Sequence, residues 1–295
     1  MAIERQHFVP QAFLRGFSIP GDKTKKFIWH YRKDPKWKPK RSPIKSVAWE
    51  SFYYEQETEA DARDTDTLEM ALAKSIDDVA PRIIRTLDAK PGSVVTLSEE
   101  HRGVLAFFLG FSLTRVPSFR APIREIYTWI AQRQLDVVAK RDPELKEFVD
   151  THGVTAEAKP WVSLQAMVQT AQQIGHSALQ KNWQFFVPPE GVFLVTSDNP
   201  VIRDAPKSSG LDRPGPAHPG VELVANLRKD LALVCTPQDA WPQHTVFQMT
   251  QDDAHKFNLG IVRAARLAVF APVQSATIDQ LVKAHIGQEQ TIELN

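Results

Sequence analysis

Apolar positions in the first part of the chain repeat every two residues, and further on they repeat every three to four. In KFIWHYRK (26–33), Phe27, Trp29 and Tyr31 alternate with Ile28, His30 and Arg32, which predicts a strand. The lysine-rich DPKWKPKRSPIK (34–45) carries three prolines and predicts loop, and SVAWESFYY (46–54) reads as a second short strand or a turn. Leu68, Leu72, Ile76, Val79, Ile83 and Leu87 then fall on one helical face, with Pro81 predicting a kink or two helices. Thr96 with Glu99 fits a capping box for a helix through Val104, Phe107, Phe108, Phe111 and Leu113, ending near Val116-Pro117. That helix is apolar nearly all round and is therefore expected to be central. Further helices are expected over about 121–141 and 162–179.

From Trp183 the pattern changes to short apolar runs separated by Gly, Pro and Asp: WQFFVPP, GVFLVTSDNP, VELVANL and DLALVCTP. Between them, residues 203–220 hold four prolines and three glycines, a composition that predicts a mobile surface excursion. A helix over about 251–265, the strand RLAVFAP and a helix near 277–285 follow. The expectation is one α+β domain over 1–295, with a helical middle packed on a mixed or antiparallel sheet formed by short N-terminal and C-terminal strands.

Composition adds limits to this picture. The 295 residues are 42% hydrophobic and 24% charged with a net charge of +1, the profile of a globular protein. The charge is uneven: residues 1–45 hold twelve Lys/Arg against three acidic residues, and residues 50–80 hold ten Asp/Glu against two basic ones. Such blocks either neutralise each other or leave a basic surface for phosphate. The single cysteine, Cys235, excludes a disulfide within the chain and fits a reducing cytosol. The start MAIERQHF has no apolar core of a secretory signal, and the longest apolar run, 104–113, is about half of the ~20 residues a membrane span needs. A cytoplasmic protein is expected, with no membrane partner.

Two short motifs concentrate the candidate chemistry. In HFVPQAFLRGF (7–17), His7 is the side chain whose ordinary pKa of about 6.5 suits proton transfer near neutrality. If a short helix starts at Pro10, Gln11 and Arg15 share one face while Phe13, Leu14 and Phe17 anchor the other. A histidine beside an arginine fits a phosphate, and equally a backbone latch for the N-terminal segment. In TSDNP, Ser197, Asp198 and Asn199 stand at a strand end, where Asp198 could orient His7 or bind a metal, or where the three could simply close a hydrogen-bonded turn. Arg115, Arg120 and Arg124 cluster at a helix junction, and planar guanidinium groups suit phosphate or carboxylate.

With NLGIVRAARLAVF (258–270), these two motifs carry a resemblance to the uncharacterised, mainly bacterial family identified by an HYVP motif, a domain of unknown function; Phe8 stands where that motif has tyrosine. The resemblance implies no activity, and Phe8 removes any role that needs a phenol there. Motifs for a zinc protease, a P-loop, a dinucleotide fold or a nucleophile elbow are absent from the sequence. The leading expectation is a phosphodiester-directed, RNase-like hydrolase that needs no cofactor, with His7 and Asp198 in catalysis and Gln11, Arg15, Arg115, Ser197 and Asn199 in binding. RNA or DNA would be the partner. The alternative is a non-catalytic module that binds nucleic acid or a protein through its basic N-terminal segment. A third reading makes Asp198 and His7 ligands of a metal.

Overall fold

The computed structural model describes residues 4–57, 63–204 and 214–287, and the fold is α+β. The N-terminal part contributes β1 (Arg5–His7), the single turn α1 (Gln11–Leu14) with a 3-10 turn over Arg15–Phe17, β2 (Phe27–Arg32), β3 (Lys40–Pro43), β4 (Trp49–Ser51), β5 (Gln56–Glu57) and β6 (Arg63–Asp64). The helical middle comprises α2 (Thr67–Leu72), a π-helical segment Ala73–Asp77, α3 (Ala80–Thr86), α4 (Glu99–Thr114), α5 (Pro117–Arg141), α6 (Pro143–His152) and α7 (Val162–Leu179). Strands β7 (Asn182–Val187), β8 (Thr196–Ser197), β9 (Val201–Asp204), β10 (Glu222–Arg228), β11 (Leu231–Thr236) and β12 (Val246–Gln248) follow, then α8 (Gln251–Ala264), β13 (Ala268–Ala271) and α9 (Ala276–Ala284).

A five-stranded sheet runs β12-β7-β11-β10-β9, antiparallel except for the parallel pair β12–β7. A four-stranded antiparallel sheet runs β3-β2-β13-β8, so N-terminal and C-terminal strands share one sheet as the sequence predicts. The pleat of β11 explains how the five-stranded sheet is covered on both faces. Leu231, Leu233 and Cys235 point into the main core with α4 and α7, and Ala232 joins Met249 and Ala254 under α8. Helices α8 and α9 also cover the four-stranded sheet through Ile261, Val262, Val282, Tyr31 and Val269. The apolar α4 is central, as its pattern demands. Its Gly110 lies so close to α7 that an added Cβ would sit 2.2 Å from the Ala171 carbonyl oxygen.

Several boundaries differ from the sequence reading. KRSP, expected as loop, forms β3, whose edge position tolerates Pro43 because only one side of the strand needs ladder hydrogen bonds. The cap of α4 is Ser98, whose hydroxyl accepts the His101 N–H at 3.2 Å, and not Thr96. Helix α5 begins at Pro117 rather than near 121, since a proline in the first turn loses no hydrogen bond. Pro81 likewise sits in the first turn of a separate α3. Of the run GVFLVTS, Thr196–Ser197 alone forms strand. Half of the excursion expected over 203–220, residues 205–213, lies outside the described residues.

Candidate functional site

The N-terminal motif is built as a support. Strand β1 pairs with β4 in the register Arg5↔Ser51, Gln6↔Glu50 and His7↔Trp49. Gln6 is fully buried, accepts the Tyr54 N–H at 2.6 Å and donates to the Thr65 carbonyl. The Tyr54 hydroxyl donates to the His7 carbonyl at 3.3 Å. The His7 Nε2 is buried with no hydrogen-bond partner, and burial, aided by the nearby Arg5 charge and opposed by a backbone hydrogen bond at Lys45, lowers the imidazole to about 4. His7 is therefore neutral at pH 7. Phe13, Leu14 and Phe17 are buried as expected, Gln11 is half-buried and Arg15 points into solvent.

Arg115 does reach this region, as a structural pair. Its side chain is fully buried, and one terminal nitrogen donates to both Asp77 oxygens at 2.7 and 2.9 Å. Tyr54 lies near enough for its hydroxyl to interact with the guanidinium, and desolvation lifts Glu69 to about 7 with the charge of Asp77 adding to it.

The TSDNP turn lies elsewhere. Both Asp198 oxygens are taken by backbone amides, from Arg266 at 2.9 Å and Leu267 at 2.6 Å, and burial lifts this carboxyl to about 6 against those hydrogen bonds. The Ser197 hydroxyl donates to the Asn199 carbonyl at 2.8 Å, and the Asn199 amide donates to Ala264 O at 3.1 Å. Among the described residues no hydrogen bond joins Asp198 to His7. The two halves of the expected dyad occupy separate places.

What these elements share is a cleft of about 1390 Å³. Strand β4, held by β1, brings Glu50 to its wall; the start of α5, just after Arg115, brings Arg120 and Arg124; and the turn fixed by Asp198 brings Arg266 and Leu267. Arg120 is 5% exposed, and its hydrogen bonds among the described residues go to neutral oxygens: Ser163 Oγ at 2.9 Å, Tyr53 O at 2.6 Å and Pro160 O at 3.2 Å. Its guanidinium also covers the Tyr53 ring at 4.2 Å. Around the rim, Arg124 pairs with Glu157, Lys159 with Glu57 and Arg63 with Glu55. Arg266 donates to Pro117 O at 3.0 Å.

The Glu50 side chain is exposed to this space, and its carboxylate makes no hydrogen bond among the described residues. Partial desolvation raises its carboxyl above the ordinary range, and the charges of Arg120 and Arg266 act against that rise. A titratable carboxyl between two arginines can shuttle a proton beside an anion they hold.

The family model for the protein of unknown function DUF4238 matches residues 5–274. The chain belongs to the DUF4238 family. No curated protein and no solved structure matches it. In this DUF4238 chain the sequence signals marked the supports more readily than the cleft. Arg120 and Arg124 were legible as an arginine cluster, whereas Arg266 lay unremarked inside NLGIVRAARLAVF and Glu50 inside SVAWESFYY. Nothing in the spacing of a single carboxylate on a three-residue strand announces a site.

Proposed function

We propose that the protein is a phosphodiester-directed hydrolase whose site is the cleft, with Glu50 as the proton-transfer group and Arg120 and Arg266 as the phosphate clamp. The observation that supports it is the placement of the Glu50 carboxylate, which has no hydrogen bond among the described residues, where both arginine charges act on it. Water would attack phosphorus while Glu50 takes its proton; the bond to the leaving oxygen breaks, and that oxygen is protonated from solvent. His7, neutral and with Nε2 buried, then serves to hold β1 against β4, and Asp198 serves to fix Arg266. On this reading HFVP is the chain's version of the HYVP motif, conferring position and not proton transfer. A buried free Cys235 suits a reducing, cytoplasmic setting.

Nucleic acid is the substrate class this reading favours. The β2–β3 hairpin exposes Lys36, Lys38, Lys40 and Arg41, and the Lys33 N–H donates to the Leu267 carbonyl at 2.8 Å, so the hairpin leaves the rim of the cleft itself. Incubation of labelled RNA and DNA with the purified protein, with and without chelator, tests this. Cleavage of at least one is expected, and cleavage of neither would overturn it. The same hairpin supports the second reading, a non-catalytic nucleic-acid-binding module, which predicts binding that weakens steeply with salt and is indifferent to Glu50→Gln.

A further inference from the structure

Helices α5 and α6 form an antiparallel hairpin that is poorly covered by the rest of the molecule. Of 25 residues in α5, Phe119, Arg120 and Ala139 alone are buried, and α6 buries none. A helix of that length extends about 38 Å at 1.5 Å per residue, and an isolated helical pair gains little stability without an apolar face to bury. Such a face is present. Helical spacing places Tyr127, Ile130, Gln134, Val137, Val138 and Arg141 on one side of α5, and Tyr127, Ile130, Val137 and Val138 are 39–53% exposed. On α6, Glu144, Glu147 and Phe148 share a face at spacings of three and four, with Phe148 53% exposed.

The charges of the two helices are opposite. The last three turns of α5 carry Arg133, Lys140 and Arg141 against the one acidic residue Asp136, while α6 carries Glu144, Glu147 and Asp150 with Lys146 as its one lysine. A surface with a basic apolar half next to an acidic apolar half complements itself under a two-fold rotation. A membrane surface does not fit, because α6 would repel anionic lipid.

We propose that the occupant of this face is a second copy of the chain, the two α5–α6 hairpins closing into a four-helix bundle. Phe148 of each copy packs on Val137 and Val138 of the other, and Glu144 and Glu147 meet Lys140 and Arg141 across the interface.

Sedimentation velocity at micromolar concentration tests the assignment. The wild type is expected to be a dimer, and Val138→Glu with Phe148→Glu a monomer that keeps the far-UV circular dichroism spectrum of the folded chain, since both residues are exposed on a single copy; its melt falls because dimerisation stabilises the folded state by mass action. Arg141→Glu should weaken the dimer by roughly tenfold or more, and adding Glu144→Arg should restore it. A monomeric wild type, or a dimer that survives the double apolar substitution, would overturn the proposal; a double variant that has lost the folded far-UV spectrum would do so too, by placing these side chains inside one copy.

Discussion

At the residue scale, the burial of His7 gives it a measurable signature. Its folded imidazole titrates near 4, below the ordinary 6.5, so the native protein binds fewer protons than the unfolded chain between those values. The stability it contributes is complete above about pH 6.5 and is lost as pH falls toward 4. Discounted for the part of the ring that water reaches, this amounts to about 1–2 kcal/mol. Urea titrations at pH 7 and pH 4.5 should show His7→Gln losing less stability than the wild type over that interval; equal losses would mean the ring is not buried. Glu69 acts in the opposite sense, since its folded carboxyl titrates near 7 and its contribution fades as pH rises through that value. The comparison of variant with wild type separates the two. Arg115 is tested by removal: Arg115→Met strands the buried Asp77 carboxylate and should cost about 3–5 kcal/mol in urea unfolding, whereas the double Arg115→Met, Asp77→Leu variant should recover much of it.

At the element scale, legibility followed the strength of the periodic pattern. The α4 and α7 helices, the β10–β11 hairpin and β2 were readable because each carries several apolar residues at one period. Strand β3 was not, because its two basic residues and Pro43 read as loop, and the neighbour that makes it a strand, β2, acts from outside the segment. Strand β1 is three residues long, too short to show a period at all, whereas β4 falls inside SVAWESFYY, the stretch that reads as a short strand or a turn. The contact between α4 and α7 was equally invisible, since it depends on a residue with no side chain. Gly110→Ala would drive a methyl group into the Ala171 carbonyl, with no flexible atom to yield, and should destabilise by about 3 kcal/mol. A thermal melt unchanged by that substitution would contradict the close approach of the two helices.

At the scale of the whole molecule, the motifs prominent in the sequence hold the segments that line the cleft. HFVP pairs β1 to the strand that carries Glu50, the Arg115 junction leads into the turn that carries Arg120, and Asp198 fastens the backbone of Arg266. The residues that stand out in the sequence, the histidine of HFVP and the aspartate before Asn199, have structural work here: the His7 carbonyl accepts the Tyr54 hydroxyl, and Asp198 accepts the backbone amides of Arg266 and Leu267. The candidate reactive group is an ordinary glutamate whose importance comes from three distant segments meeting. The most direct test compares kcat/KM on a cleavable phosphodiester for Glu50→Gln and His7→Gln, each shown to be folded at the assay pH. The account predicts a loss of roughly 10²–10⁴-fold for Glu50→Gln and less than about tenfold for His7→Gln. The reverse order, with His7→Gln abolishing turnover and Glu50→Gln leaving it intact, would contradict it.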